Sequence, residues 1–320
     1  MNRFIIKEND YLKVIFTTEG AGLYQIYLKT EPLTPILVTP KSMTDYSMNR
    51  NFYGKTIGRI SGRLFGPSYQ IDQNTYSLLC DQNQSYMLHG GDEGFWKTSF
   101  EVCSEGADFI TFKAKNEPSH SFSGTMALEV TYRLIKSALR IEYLAHSDED
   151  TLCNITNHAY FNLNPLTHTI LDHELHLNAK VYNVINDKYE FVKQAETKET
   201  PFGFETSKSL RTGVMALIDT AHKGLDHCFI KGEGDYVGTL YEPKTNRKLR
   251  VYSNYPSVVI YTHNFASKKT LNIDTPQGIH SSITFECQYE PDGIHHSELH
   301  SSILRKHETY KHYIEFKFDF

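Results

Sequence analysis

Two residues that lie far apart in this sequence, His158 and Glu286, have side chains suited to moving protons. His158 is surrounded by side-chain amides and aromatic rings in the segment 157–164, N-H-A-Y-F-N-L-N. A histidine gives or takes a proton near neutral pH once its neighbours fix its tautomer. Because most histidines are simply hydrogen-bonded in loops or at sheet edges, His158 needs a partner before it indicates catalysis.

The pattern around Glu286 makes it a candidate for that partner. In the segment 282–289, S-I-T-F-E-C-Q-Y, polar and apolar residues alternate, which predicts a strand with one polar face. Glu286 projects from the polar face. Such a face is either solvated or forms the floor of a cleft, and only a cleft would bring the carboxylate to a ligand.

Two further segments hold groups that could bind a polar ligand. His89 lies in the segment 87–96, M-L-H-G-G-D-E-G-F-W, where glycines permit close backbone approach and aromatics such as Trp96 could cover a sugar face. A glycine-rich turn is the alternative. Asp226 and His227 place an acceptor and a titratable ring before an apolar strand, although a strand-entry turn also explains them.

Two arginines, Arg59 and Arg63, occur four residues apart in the segment 57–64, I-G-R-I-S-G-R-L. A guanidinium group can offer forked hydrogen bonds to hydroxyls or carboxylates. Surface salt bridges are the commoner use of arginine, and we expect that use for Arg59.

The composition excludes several classes of protein. Among 320 residues, 33 are Lys or Arg and 38 are Asp or Glu, and this net charge of -5 argues against a nucleic-acid partner. No window approaches the roughly 18 consecutive apolar residues of a membrane span. The segment 1–8 becomes charged before a signal-type apolar region develops. We therefore expect a cytoplasmic protein with no membrane partner.

No metal or nucleotide site is predicted. The chain has neither a C-x-x-C pair nor an H-E-x-x-H motif, and the histidines in 296–300 indicate a loop. Its five cysteines are odd in number and widely spaced, which predicts free and mostly buried thiols. The glycine-rich run 232–238 lacks a following helix, so we expect a hairpin turn there.

Alternation with period two dominates the chain and predicts a mostly β protein. The predicted strands are 12–17, 23–28, 109–114, 126–134, 139–144, 258–262, 283–289 and 314–320. The segment 18–22 predicts a hairpin between the first two strands. Two helices are predicted, 41–50 with Thr39 as its cap and 207–220. Without a linker or a repeat, residues 1–320 are predicted to form one domain of packed sheets.

The order of six segments resembles that of the aldose 1-epimerase family, the galactose mutarotases. These segments are 58–63 (G-R-I-S-G-R), 88–91 (L-H-G-G), 157–163 (N-H-A-Y-F-N-L), 225–229 (L-D-H-C-F), 261–265 (Y-T-H-N-F) and 286–288 (E-C-Q). The similarity runs from about residue 50 to the C terminus, and its most specific part is 157–163.

The resemblance implies an all-β fold, a large β-sandwich of the galactose mutarotase type with few short helical turns. It implies an isomerase that interconverts α and β anomers of a hexopyranose of the glucose or galactose type, without cofactor or metal, as a monomer or homodimer. Glu286 would be the general base, His158 the general acid, and Arg63, His89 and Asp226 would hold the sugar. Two alternatives stay open: a hexose-phosphate epimerase of the same fold, and a non-catalytic carbohydrate-binding or sensing domain.

This chemistry leads to expectations about charge and substrate. Glu286 should be ionised and His158 protonated, and a nearby carboxylate should raise the pKa of the histidine. Gly62 and Val259 stand where the family commonly has Asn and Gln, which implies that two contacts with sugar hydroxyls are missing. Trp96 replaces a usual polar residue, and Lys306-His307 a usual Pro-Gly. These departures indicate a preferred sugar that differs from galactose.

Overall fold

The computed structural model describes residues 3–47, 50–164, 168–273 and 278–320, and in these residues strands predominate. The strands are β1 (Phe4–Glu8), β2 (Leu12–Thr17), β3 (Gly22–Leu28), β4 (Thr34–Pro35), β5 (Thr56–Ile57), β6 (Arg63–Phe65), β7 (Ser68–Ile71), β8 (Asn74–Ser77), β9 (Tyr86–Leu88), β10 (Glu101–Glu105), β11 (Phe109–Asn116), β12 (Met126–Ile135), β13 (Ala138–Ser147), β14 (Thr151–Leu152), β15 (Thr156–Asn157), β16 (Glu174–Leu177), β17 (Val181–Ile185), β18 (Phe191–Glu196), β19 (Lys208–Ser209), β20 (Asp226–Ile230), β21 (Tyr236–Glu242), β22 (Arg247–Ser253), β23 (Ser257–Tyr261), β24 (Thr284–Gln288), β25 (Ile303–Leu304) and β26 (Tyr310–Asp319). The helices are α1 (Met43–Ser47) and α2 (Leu210–Ala216), and 3₁₀ turns lie at Gly91–Glu93 and Phe95–Lys97.

Three larger sheets and four two-stranded ribbons contain these strands. The nine-stranded sheet has the order β10-β11-β12-β13-β26-β22-β21-β16-β19, the five-stranded sheet β18-β17-β20-β23-β24, and the four-stranded sheet β1-β2-β3-β4. The ribbons are β14-β25, β15-β5, β6-β9 and β7-β8. The strands named here pair antiparallel, so short turns can connect neighbours.

One large hydrophobic cluster joins the three larger sheets. Val14 of β2, Leu128 of β12 and Phe285 of β24 all belong to it and are at most 1% exposed. Burying such a side chain fully contributes about 1.5–3 kcal/mol. The packed sheets confirm the predicted β-sandwich.

The five-stranded sheet positions the candidate site because its two faces differ. In β24, Phe285 and Cys287 lie in the hydrophobic cluster, and Glu286 between them faces the opposite side. In β20, Asp226 and Cys228 face the same side as Glu286. The polar face predicted for this segment is therefore the floor of a cleft rather than a solvated surface.

The long strands confirm the period-two prediction. The segment 12–17 is β2, and the other predicted segments coincide with or overlap β3, β11, β12, β13, β23, β24 and β26. The turn 18–22 does join β2 to β3 in a hairpin. The hairpin predicted at 232–238 is wrong, because this segment connects β20 to β21, which lie in different sheets.

Both predicted helices are present but shorter than expected. The cap predicted at Thr39 is wrong, because the Ser42 hydroxyl accepts the Asp45 N–H at the start of α1. Residues 48–49, near the end of that predicted helix, lie outside the described residues. The second helix is capped by the Ser209 hydroxyl.

The predicted free thiols are confirmed: Cys153, Cys228 and Cys287 are buried, Cys80 is half-buried and Cys103 is exposed. Within the described part of the chain, no helix has both the length and the apolar character needed to cross a membrane. That the whole chain forms one domain stays a prediction.

Candidate active site

A cleft with a volume of about 280 Å³ lies over the polar face of the five-stranded sheet. The five residues that the family resemblance singled out all line it: Arg63, His89, His158, Asp226 and Glu286. They come from β6, β20, β24 and two loops, so the tertiary fold brings together groups from distant parts of the sequence.

Glu286 lies in the middle of β24 and is 3% exposed. The Thr284 hydroxyl, two residues earlier on the same face, donates a hydrogen bond to Glu286 Oε1 over 3.0 Å. Burial, followed by the charge of the Asp226 carboxylate, raises the pKa of Glu286 to about 8. Glu286 therefore carries a proton at neutral pH in this site.

His158 follows β15 directly and is held through its backbone. Its N–H donates to the Lys55 carbonyl over 3.0 Å, and its carbonyl accepts the Gly54 N–H over 2.8 Å. This anchoring places Nε2 of the His158 ring 3.4 Å from Oε1 of Glu286. Nδ1 of the ring is buried and has no hydrogen-bond partner among the described residues.

The protonation states differ from those expected from the sequence. Burial lowers the pKa of His158 to about 3, although a nearby carboxylate was expected to raise it. The pKa of Glu286 is shifted in the opposite direction, also chiefly by burial. At neutral pH the pair thus holds its proton on the carboxyl group, because desolvation disfavours both charged forms.

His89 lies in the loop that follows β9 and is fixed in one tautomer by the backbone just before β6. The Gly62 N–H donates to Nδ1 of His89 over 3.2 Å, so the ring hydrogen must be on Nε2. Burial, with the charges of His158 and Arg63, holds the pKa of His89 well below its usual range. His89 is therefore a neutral hydrogen-bond donor at the cleft.

Arg63 and Asp226 face each other across the cleft wall. Nη1 of Arg63 lies 3.6 Å from Oδ2 of Asp226, and the guanidinium lies 3.7 Å from the centre of the Tyr189 ring. Burial alone would lower the pKa of Arg63, but Asp226 and Tyr86 outweigh it and the pKa is raised. Nε of Arg63 is buried without a partner among the described residues, which leaves a donor for a ligand hydroxyl.

Arg59 has a structural position. It is fully buried, and its guanidinium donates to the backbone carbonyls of Asn116, Ser123 and Gly124 and to the Asn116 side chain. The surface salt bridge expected for Arg59 is therefore wrong. This arginine holds the 116–124 segment in place through these hydrogen bonds and does not line the cleft.

Several cleft residues had no signal in the sequence. The Phe52 ring packs 4.8 Å from His89 and 5.9 Å from His158, whereas Trp96 supports Phe52 from behind and does not line the cleft. The expectation that Trp96 covers a sugar is therefore not met. Asn183 and Tyr189, in the region of β17, also line the cleft. The irregular backbone around Phe52 and Tyr189 gave no periodic pattern to detect.

Two of the departures from the family pattern, Gly62 and Val259, line the cleft. Gly62 has φ +75°, and a Cβ added there would lie 2.6 Å from Cγ of Pro291. The space of a side chain at this position is thus taken by Pro291. Val259 lies between Cys228 and Glu286 in the register of the sheet and gives that part of the floor an apolar surface.

Three cleft residues have the donor atoms of a metal site. Ligand atoms of His89, His158 and Glu286 lie within 4.8 Å of one another. By contrast, His296 and His300 contact Asp292 and Glu290 in a loop, as expected from the sequence.

Comparison with known proteins agrees with this β-sandwich. A model of the aldose 1-epimerase family matches residues 3–317, so the chain belongs to the aldose 1-epimerase family of isomerases. It is 27% identical to human galactose mutarotase over 323 residues, 97% of this chain and 92% of the human protein. It is 28% identical to aldose 1-epimerase from Haemophilus influenzae over 285 residues, 86% and 83% of the two chains.

The fold is also shared with a solved structure. An aldose epimerase homologue from C. elegans superposes with a TM-score of 0.91 at 20% identity, covering 100% of this chain and 99% of that one. The nine- and five-stranded sheets thus form a fold of the galactose mutarotase type.

Proposed function

We propose that this protein interconverts the α and β anomers of a hexopyranose by acid/base ring opening, with Glu286 and His158 as the proton-transfer groups. The observation that supports it is the 3.4 Å distance between Nε2 of His158 and Oε1 of Glu286 at the cleft floor. The ring oxygen O5 and the hydroxyl O1 of a pyranose are both bonded to C1. Groups that serve these two oxygens must therefore be close neighbours.

The pair needs one exchangeable proton to work. Ring opening moves the O1 proton to Glu286 and a proton from His158 to O5, while the C1–O5 bond breaks and C1 becomes an aldehyde. Rotation about the C1–C2 bond and the reverse transfers then close the ring on the other face. Opening starts with ionised Glu286 and protonated His158, and it ends with both groups neutral.

The neutral pair found in this site is thus the state that accompanies the open-chain aldehyde. The pyranose must help to stabilise the charged pair, and its hydroxyls can do so by hydrogen bonding to the Glu286 carboxylate. Both arrangements contain the same number of protons, so each can form from the other without exchange with water.

The remaining cleft groups fit a neutral sugar. Nε2 of His89 and Nε of Arg63 are donors, and the Asp226 carboxylate is an acceptor. Among the described residues, the arginines that line the cleft are Arg63 and Arg50, and each has a carboxylate nearby: Asp226 for Arg63 and Asp92 for Arg50. This pairing favours uncharged hexoses over hexose phosphates, which would need uncompensated positive charge.

Polarimetry tests the proposal. Freshly dissolved α-glucose and α-galactose should lose their initial rotation faster with the enzyme, and Glu286→Gln should remove most of that acceleration. Glu101→Gln, on exposed strand β10, is the matched control and should behave like the wild type. Sugar binding without any acceleration would instead indicate a carbohydrate-binding domain, and full acceleration by Glu286→Gln would contradict the assigned base.

A further inference from the structure

The hairpin of β17 and β18 ends in a turn, residues 186–190, that carries Tyr189 into the cleft. Oδ1 of Asn186 accepts the N–H groups of Lys188 and Glu190 over 2.9 and 3.1 Å. The Asn186 carbonyl accepts the Tyr189 N–H over 2.9 Å. Tyr189 has φ +68°, a conformation that is unfavourable for a bulky residue and that the surrounding contacts must hold in place. The turn thus fixes where the Tyr189 side chain leaves the hairpin.

The Tyr189 ring covers one face of the Arg63 guanidinium. Cζ of Arg63 lies 3.7 Å from the centre of this ring, well inside the roughly 6 Å over which a cation is attracted to an aromatic face. The Tyr86 ring is farther away, at 5.4 Å. The attraction is stronger where water is excluded, and the Arg63 side chain is largely buried. Of these two rings, Tyr189 is therefore the one that restrains the guanidinium.

Two buried histidines support Tyr189. The His222 ring packs edge-to-face on Tyr189, with the ring centres 4.8 Å apart, and the His227 ring lies 5.1 Å from His222. Burial lowers the pKa of both histidines, so both rings are neutral at pH 7. Nδ1 of His227 accepts the Asp226 N–H over 3.1 Å. His227, which the sequence offered as a cleft group, does not line the cleft and belongs to this support instead.

The distance between Arg63 and Asp226 explains why the guanidinium needs a restraint. Nη1 of Arg63 lies 3.6 Å from Oδ2 of Asp226, farther than the roughly 2.7–2.9 Å of a charge-assisted hydrogen bond. An unrestrained guanidinium would close this gap in a forked pair and turn further donors to the carboxylate. With Tyr189 stacked on its face, Arg63 keeps Nε without a partner among the described residues.

We infer that Tyr189 is a positioning residue for sugar binding: its ring holds the Arg63 guanidinium so that Nε stays available to a pyranose hydroxyl, and His222 holds the ring. This inference rests on the proposed anomer interconversion and assigns a further residue to it. The proton transfers stay with His158 and Glu286. Loss of the Tyr189 ring should therefore raise KM and leave kcat nearly unchanged.

Steady-state polarimetry tests the inference on α-glucose or α-galactose, whichever the wild type converts with the higher kcat/KM. Tyr189→Leu should raise KM about 3- to 10-fold, because the stacking on Arg63 is lost. Tyr189→Phe keeps the ring and should keep the wild-type KM. His222→Ala should raise KM about 2- to 3-fold, and His222→Phe should restore it. Tyr11→Leu, at an exposed tyrosine outside the cleft, is the matched control and should change neither constant.

A double variant separates positioning from direct contact with the sugar. If Tyr189 acts through Arg63, Tyr189→Leu combined with Arg63→Ala should have the KM of Arg63→Ala alone. Additive increases in KM would mean that the ring acts independently of Arg63 and would overturn the inference. An unchanged KM in Tyr189→Leu, even with a lower kcat, would also overturn it while the proposed function stands.

Calorimetric titration keeps the two proposals distinguishable. If the wild type accelerates neither sugar, the proposed function is overturned, and the dissociation constants of the same variants then test the role of Tyr189. Tyr189→Leu should weaken binding about 3- to 10-fold and Tyr189→Phe should not. Equal dissociation constants for the wild type and Tyr189→Leu, or no binding by the wild type, would overturn the inference.

Discussion

Two buried pairs of titratable residues respond differently to burial: Lys55 with Glu19, and His158 with Glu286. Lys55 Nζ lies 2.5 Å from Glu19 Oε1 and 4.1 Å from the centre of the Tyr46 ring, and Ser47 donates to the other carboxylate oxygen. Burial lowers the pKa of Lys55 to about 8, but Glu19 partly opposes this shift. The ammonium and carboxylate groups are thus in direct contact, and neither lines the cleft.

In the second pair, the two groups are 3.4 Å apart and reach the cleft. Their pKa values shift so that both charges are suppressed. A buried pair in close contact contributes to folding, whereas a pair at cleft distance with a movable proton is available for chemistry. The following predictions test this difference.

The largest effect is expected for His158→Asn. It should lower kcat for anomer exchange by about 10²- to 10⁴-fold, because the proposed proton donor for O5 is lost. Polarimetry on freshly dissolved α-glucose measures this loss of kcat, and His120→Asn, at an exposed position, is the control. In the double variant that also carries Glu286→Gln, kcat should fall little further, since the two groups act as one unit. Full additivity of the two losses would contradict a shared proton.

Lys55→Met should lower the stability of the fold. It leaves the Glu19 carboxylate buried without its cation and should lower the free energy of unfolding by about 3–5 kcal/mol. Urea denaturation measures this loss. Lys113→Met removes an exposed pair with Glu129 and should cost only about 0–1 kcal/mol. The folded fraction of Lys55→Met should keep its kcat; a loss as large as that of His158→Asn would remove the contrast between the pairs.

Arg63→Ala should weaken binding more than turnover. A hydrogen bond to a charged group is worth about 1.5–3 kcal/mol, so KM should rise about 10- to 100-fold while kcat changes much less. Steady-state polarimetry separates the two constants, and exposed Arg211→Ala is the control. An equal loss of turnover would mean that Arg63 acts in the proton transfer itself.

The pH profile of kcat/KM should show where the pair of His158 and Glu286 loses its proton. Below the Glu286 pKa of about 8 the pair keeps one proton, so kcat/KM should be constant between about pH 5 and 7. Above about pH 8 both groups are deprotonated and kcat/KM should fall about tenfold per pH unit. If kcat/KM instead falls as the pH rises from 4 to 7, His158 titrates in its ordinary range.

The sequence contained much of the fold because alternation is a local property. Strands such as β2 and β12 follow directly from period-two patterns, since one face of each must be apolar to pack. The connection at 232–238 was missed because a turn between paired strands and a crossing between sheets have the same glycine-rich composition. Cleft residues on irregular backbone, such as Phe52, were missed because they belong to no periodic element.

Arg59 and Arg63 show that local sequence is also insufficient to predict the function of a residue. Arg59 and Arg63 have nearly identical local surroundings in the sequence, yet one is enclosed by backbone carbonyls and the other faces Asp226. Side-chain type fixes what a residue can donate, whereas its partners come from distant segments.

The sequence by itself determined the strands, the family and the candidate residues His158 and Glu286, because these depend on local patterns and on the order of short motifs. The tertiary structure decided which protonation states His158 and Glu286 adopt. It buries both groups, which reverses the order of their pKa values and puts the shared proton on Glu286. It also fixes the His89 tautomer through the Gly62 N–H and extends the cleft to Asn183, since desolvation and strand register depend on residues that are remote in the chain.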